Sequence, residues 1–209
     1  MENVSGALRF AGNPSGLAEA CRLLEEGGLL AVATETVWGI ACDAALEASV
    51  ARIYQVKGRS FTKPLQCLCP DLESAAALAD FRDAGLQENF LSLARFWPGP
   101  LTLVVPARSS VSPWMAPGGQ IGLRVPGLSA VAELLAAYRR PLAATSLNLS
   151  GAPAALTLEE VLAVPGLYDG YLPGQAGIGL ASTVFDLRRA ALLREGPISR
   201  EELLACMRP

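Results

Sequence analysis

The sequence predicts a single α/β domain, on three observations. Short apolar runs of strand length alternate with helical runs along all 209 residues. At 51% hydrophobic residues the chain can bury a core, and no composition break marks a linker. Polar, hydroxyl-rich turns follow two of the apolar runs, at the strand ends where α/β sheets hold ligands.

Asn13-Pro14 opens the first helix, which Gly27-Gly28 ends. The apolar run from Leu29 to Ala33 reads as a buried strand and leads into a turn, Thr34-Glu35-Thr36-Val37-Trp38-Gly39. A helix from about Glu47 to Gln55 turns Val50, Ile53 and Tyr54 inward and delivers Lys57-Gly58-Arg59 to a loop. Leu65 to Cys69 is a strand, Asp71 caps a helix, and a further helix covers about Leu86 to Phe96. Strands follow at Leu101 to Val105 and Ile121 to Val125, separated by a Ser-, Pro- and Gly-rich stretch, 106–120, that reads as an irregular surface loop. Ala130 to Tyr138 is helical, and a strand from Pro141 to Thr145 feeds Ser146-Leu147-Asn148-Leu149-Ser150-Gly151. Thr157 with Glu160 and Ser199 with Glu202 form capping boxes. Between them, Ser182 to Asp186 and Ala191 to Glu195 read as paired strands.

Composition excludes several kinds of chemistry. The chain has no histidine, so no Ser-His-Asp or Cys-His triad and no imidazole base is available. Its cysteines, Cys21, Cys42, Cys67, Cys69 and Cys206, lack zinc-site spacing and read as free thiols in a reducing compartment. No apolar stretch reaches the roughly 18 residues of a membrane span. The start, MENVSGALRF, has no signal-peptide pattern, so a cytoplasmic location is expected. Any catalysis must rest on Lys, Arg, hydroxyls, carboxylates and backbone amides. The net charge of −3 argues against a sequence-independent nucleic-acid coat protein.

Against that acidic balance, Lys57, Arg59 and Lys63 gather three positive charges on one stretch. They suit a phosphate clamp, or a solvated helix end whose cations complement the dipole. Ser146, Asn148 and Ser150 alternate, so on an extended segment they share a face and can grip phosphates or sugar; they can also serve a turn. Arg124 and Arg194 each stand at a strand end near a turn, suited to a carboxylate or phosphate, or simply solvated. Neither a Walker nor a dinucleotide glycine fingerprint is present, so nucleotide binding here is of another kind.

Taken in order, seven segments resemble the YrdC/TsaC family of threonylcarbamoyl-adenylate synthases, in its short bacterial form. They are Thr34 to Gly39, Lys57-Gly58-Arg59, Phe96 to Thr102, Leu123 to Pro126, Ser146 to Gly151, Ser182-Thr183-Val184 and Leu193 to Gly196. The resemblance implies a twisted, mixed parallel/antiparallel sheet with flanking helices and a concave positive cavity. It implies synthesis of threonylcarbamoyl-AMP from L-threonine, bicarbonate and ATP with Mg2+, serving tRNA modification. Lys57, Arg59, Ser146 and Asn148 are then the catalytic set, facing ATP and bicarbonate, with Lys63 and Arg194 near the phosphates. Thr36, Arg124 and Ser182 are expected to hold threonine. TsaD, TsaB and TsaE are the implied recipients of product, and tRNA an implied contact. Leu147 stands where the family carries a small residue, and Leu68 where some longer relatives carry histidine; both are expected to alter the pocket. A double-stranded-RNA-binding module and a carbamoyl-adenylating domain are the alternatives.

Overall fold

The computed structural model describes residues 2–4, 7–127 and 130–208. Met1, Ser5 and Gly6, within the start read above as lacking a targeting signal, lie outside them, as do Leu128, Ser129 and Pro209.

Two short strands, β1 (Glu2–Val4) and β2 (Ala7–Arg9), precede helix α1 (Pro14–Glu25). Asn13 starts that helix by accepting from the Gly16 N–H at 3.0 Å, with Pro14 at its first position. Then come β3 (Leu30–Ala33), β4 (Trp38–Asp43), α2 (Glu47–Lys57), β5 (Gln66–Leu68), α3 (Leu72–Leu78) and α4 (Ala84–Leu93). The second half holds β6 (Leu101–Pro106), β7 (Gln120–Arg124), α5 (Ala130–Tyr138), β8 (Leu142–Ser146) and α6 (Leu158–Leu162). It ends with β9 (Gly170–Leu172), β10 (Thr183–Asp186), β11 (Ala191–Arg194) and α7 (Arg200–Cys206).

Among the described residues, eleven strands form one mixed sheet, ordered β1-β2-β9-β3-β4-β8-β5-β7-β6-β10-β11. The pairs β2–β9, β3–β9, β5–β7 and β6–β10 are parallel and the remainder antiparallel. Alternation along β3 shows how the layers form. Leu30 and Val32 pack with Leu24 of α1 and Val131 and Leu135 of α5. Ala31 and Ala33 face the other way, into a larger cluster with Val50, Ile53 and Tyr54 of α2. On β6 and β7, Leu103, Val105, Ile121 and Leu123 join this larger cluster, while Thr102, Val104, Gly122 and Arg124 on the opposite face line an open cleft. Helices α1 and α5 thus cover half of one sheet face and leave the other half for a ligand.

Several elements differ from expectation. Trp38 and Gly39 belong to β4 and not to the preceding turn; this strand is buried along its whole length, so it lacks the alternation that marks a one-sided strand. Strands β1, β2 and β9 have three residues each, too few for a period to register. The stretch 106–120 is not wholly a surface loop. Pro106 and Gln120 pair as strand residues, and Met115 and Ala116 are buried in the core, because an apolar side chain within a Pro/Gly-rich loop still gains by burial. Both capping boxes are present.

Asp43, 1% exposed at the end of β4, accepts from the Ala45 N–H at 2.8 Å and the Tyr138 hydroxyl at 2.6 Å, and pairs with Arg140. Burial, and then this hydrogen bond, raise the Tyr138 phenol's pKa. Asp43→Ala orphans the buried phenol, so urea unfolding should show a loss of about 2–4 kcal/mol. A loss below about 1 kcal/mol would mean the β4–α5 tie is not held by this carboxylate. Among the described residues no helix is long and apolar enough to cross a membrane.

Candidate active site

The cleft begins at the turn between β3 and β4. Thr34 Oγ1 donates to the Val37 carbonyl at 2.7 Å, so the 2.6 Å contact between the Thr34 and Thr36 hydroxyls leaves Thr36 as donor. Thr36 Oγ1 then has lone pairs to spare and accepts from Arg124 Nη2 at 3.2 Å. Arg124, 3% exposed at the end of β7, also donates from Nε to the Gly99 carbonyl at 3.1 Å and pairs through Nη2 with Glu35 Oε1 at 2.8 Å. Its Nη1 makes no hydrogen bond among the described residues. One edge of the guanidinium is therefore fixed by protein while the other remains available.

Glu35 was not singled out from the sequence. Its Oε1 takes the Gly127 N–H at 2.9 Å as well as Arg124, and its Oε2 is buried without a partner. A buried arginine at a strand end requires a nearby counter-charge, and Glu35, between two hydroxyl residues after a buried strand, was the available signal.

Across the cleft, Ser182 is held by both Arg194 and Gln66. Arg194 donates from Nε to the Ser182 carbonyl at 3.0 Å and from Nη2 to its hydroxyl at 2.9 Å. Gln66 Nε2 donates to the same hydroxyl at 3.2 Å, which leaves the Ser182 proton for Thr102 Oγ1 at 2.9 Å. Gln66 and Thr102 are further residues that sequence reasoning missed; each lies on a strand inside an apolar run or beside one. Arg194 opens on solvent through the cleft, yet its walls desolvate it, and with Arg124 and Arg59 nearby its pKa is lowered.

The Lys-Gly-Arg segment is split by its glycine. Gly58 adopts φ 57°, ψ 36°, the left-handed cap that favours glycine, and ends α2. Lys57 consequently belongs to the helix, not to a loop, and its side chain is 3% exposed. Its ammonium donates to the Ser146 carbonyl, to the Asn148 carbonyl at 2.7 Å and to Asn148 Oδ1 at 2.6 Å. All three N–H groups are thus spent on one loop. Ser146 Oγ donates to Asn148 Oδ1 at 2.8 Å. This contact is made around a bend, not along the extended segment expected, because Lys57 draws the loop's carbonyls inward. Arg59 lies beyond the glycine, near the rim, where Nε and Nη2 donate to the Lys63 and Pro64 carbonyls at 2.9 and 3.1 Å.

Thr36, Arg124, Ser146, Ser182 and Arg194 line a narrow inner recess, with Val32, Val37, Leu68 and Ala144 as its apolar wall. Arg59, Lys63, Ser146 and Arg194 line an adjoining, wider outer cleft. Both share Gln66, Ala144, Thr145, Ser146 and Arg194, so they are continuous. Lys57 and Asn148 stand behind Ser146 and do not line either part. Leu147 is fully buried in the larger core cluster, so its size bears on packing and not on the pocket floor; Leu68 does line the recess. Among the described lining residues there are three arginines and a lysine but no carboxylate. That donor set suits anions. It does not suit a protein-held Mg2+, which wants carboxylate oxygens.

Burial, and then the Arg59 charge, lower the Lys57 pKa to about 8, against roughly 10.4 for a free lysine. Between those values the unfolded chain binds more protons, so this group adds stability as pH rises through them. The neutral amine, with one N–H fewer, cannot make all three loop bonds. Turnover should therefore fall above about pH 8 without a matching fall in melting temperature from this group. A pH–rate profile beside a melting series checks this; turnover unchanged about one unit higher would contradict it.

Comparison with known proteins gives the following. Residues 22–196 match the Sua5/YciO/YrdC family model, described as "Telomere recombination". The threonylcarbamoyl-AMP synthase of Pyrococcus abyssi is 37% identical over 194 residues, covering 88% of this chain and 55% of that protein. The synthase of the same name from Escherichia coli O1:K1 is 33% identical over 185 residues, covering 86% of this chain and 95% of that protein. A crystal structure of P. abyssi Sua5 complexed with L-threonine aligns at a TM-score of 0.86 and 31% identity, over 97% of this chain and 62% of the other. The chain thus spans little more than half of the archaeal relative but nearly all of the bacterial one.

Proposed function

Because the chain belongs to the Sua5/YciO/YrdC family, we propose that it condenses L-threonine, bicarbonate or CO2, and ATP into threonylcarbamoyl-AMP, releasing pyrophosphate. The observation that carries this is the cleft itself: a recess with a half-free arginine, joined to a cationic groove without carboxylates, in a chain of net charge −3.

Threonine's carboxylate takes the open Nη1 edge of Arg124, a charge-assisted bond whose geometry the Glu35, Thr36 and Gly99 contacts fix in advance. Its methyl group faces the apolar wall of Val32, Val37, Leu68 and Ala144. The amine nitrogen bonds to the carbon of CO2 and loses a proton, giving an N-carboxylate. An oxygen of that group attacks the α-phosphorus of ATP, and the bond to the pyrophosphate oxygen breaks. Arg194, with Arg59 and Lys63 at the outer cleft, offsets the charge that develops on the phosphates. Lys57 contributes as a positioning residue, by holding the loop that presents Ser146. Mg2+ would be carried by the phosphates of ATP, because the described lining residues offer it no carboxylate.

The product is a mixed anhydride, consumed by a transferase that moves the threonylcarbamoyl group to a tRNA adenosine; TsaD, TsaB and TsaE fill that role by family resemblance. Incubation with ATP, L-threonine and 13C-bicarbonate tests the proposal. Mass spectrometry should detect threonylcarbamoyl-AMP carrying one labelled carbon. Unlabelled product, or AMP formed without threonine, would defeat it.

A further inference from the structure

Helix α2 brings Lys57 to the site from outside the cleft. Val50, Ile53 and Tyr54 bury its inner face, and apolar contacts of this kind are non-directional. They hold the helix to the sheet without fixing where along the sheet it stands. A polar pair does fix it. Arg52, on the same helix, donates from Nη1 to Asp169 Oδ2 and from Nη2 to Asp169 Oδ1, both at 2.6 Å. The two residues are 117 positions apart, and neither lines the recess or the outer cleft.

Asp169 is itself tied to the foot of the sheet. Its Oδ2 also accepts from the Leu29 N–H at 2.7 Å, and its own N–H donates to the Leu29 carbonyl at 2.8 Å. Burial alone would raise the Asp169 pKa, but the bonds from Arg52 and the Leu29 N–H outweigh it, and the pKa is lowered. With side chains 41% and 31% exposed, the pair adds little to stability; its two parallel bonds fix direction and distance instead. Ser49 Oγ adds one neutral bond nearby, to the Gly27 carbonyl at 3.0 Å.

Both halves of the site start from this point. Lys57 lies five residues beyond Arg52, about 7.5 Å along the helix at 1.5 Å per residue. Its bonds to the Asn148 carbonyl and Oδ1, at 2.7 and 2.6 Å, leave little room for the helix to slide. From Leu29, β3 leads to the Thr34–Thr36 turn, which holds Arg124. We propose that Arg52 and Asp169 are positioning residues that set α2 against β3, and so set the Ser146 loop against the threonine recess. The assignment deepens the reaction proposed above and rests on it.

The test compares wild type with Arg52→Met and Arg52→Lys, with melting curves to confirm folding and assays run well below the melting temperature. Arg52→Met should lower kcat by about a hundredfold, the cost of displacing reacting groups by about 1 Å. Calorimetric affinities for ATP and for L-threonine, each titrated alone, should stay within about threefold of wild type, because neither half of the site loses a contact. Arg52→Lys, which keeps the charge and loses the fork, should fall between the two. A purely structural pair would lower the melting temperature and leave kcat unchanged, and that result, or a lysine variant as fast as wild type, would overturn the assignment. Hydrogen exchange of the Ser150 amide, bonded to the Lys57 carbonyl, reads the same displacement without turnover. It should accelerate in free Arg52→Met while the amides of α7 keep their rates; unchanged exchange would overturn the assignment. Accelerated exchange in a protein whose wild type forms no threonylcarbamoyl-AMP would defeat the proposed reaction and leave the positioning of α2 standing.

Discussion

Arg124→Ala should lower kcat/KM for threonine by about a thousandfold, the loss of roughly 4 kcal/mol expected when one member of a desolvated carboxylate–arginine pair is removed. The same change should destabilise the protein even without substrate. Glu35 would keep a buried carboxylate whose Oε1 retains only the Gly127 N–H and whose Oε2 already has no partner. Breaking a buried ion pair from one side costs about 3–5 kcal/mol. Catalytic and structural effects separate in a second variant. Glu35→Gln added to Arg124→Ala neutralises the stranded charge, so melting temperature should recover in part while threonine turnover does not. If turnover recovered with stability, Arg124 would be a structural residue and not threonine's partner.

Lys57→Met should cut kcat/KM for ATP by about a hundred- to a thousandfold, or about 3–4 kcal/mol, because three acceptors lose a charged donor together. The methionine stem fills much of the same volume, which limits the packing loss. The effect should reach the loop before any substrate arrives. The Ser150 N–H, bonded to the Lys57 carbonyl at 3.3 Å, sits in the same turn, and its hydrogen exchange in the free protein should accelerate. Unchanged exchange with the same catalytic loss would instead place the Lys57 ammonium on the phosphates. The difference matters because a cation already holding three carbonyl oxygens has no N–H left for a ligand.

Much of this site was legible in the sequence because it is assembled at strand ends, where polar residues interrupt apolar runs. Thr36, Ser146 and Arg124 could be found that way, and the structure brings them into one recess. Residues whose function depends on which strands are neighbours were not legible. Gln66 meets Ser182 only because β5 lies next to β7, β7 next to β6 and β6 next to β10, an order that no local pattern contains. Glu35 acquires its meaning from Arg124, 89 positions later, and the Lys57 role from a loop just as distant. The alternating Ser146, Asn148 and Ser150 were readable as a group, but the bend that gathers the first two is imposed by Lys57 and not by their own spacing. Strand β4 escaped because a strand covered on both faces has the same apolar look as any buried segment.

The most direct test of the central claim, that this cleft joins a threonine recess to a nucleotide groove, is pyrophosphate release from ATP with each co-substrate omitted in turn. Full release should require L-threonine and bicarbonate together, and fall to background when either is left out. Release that continues at the same rate without threonine would contradict the claim.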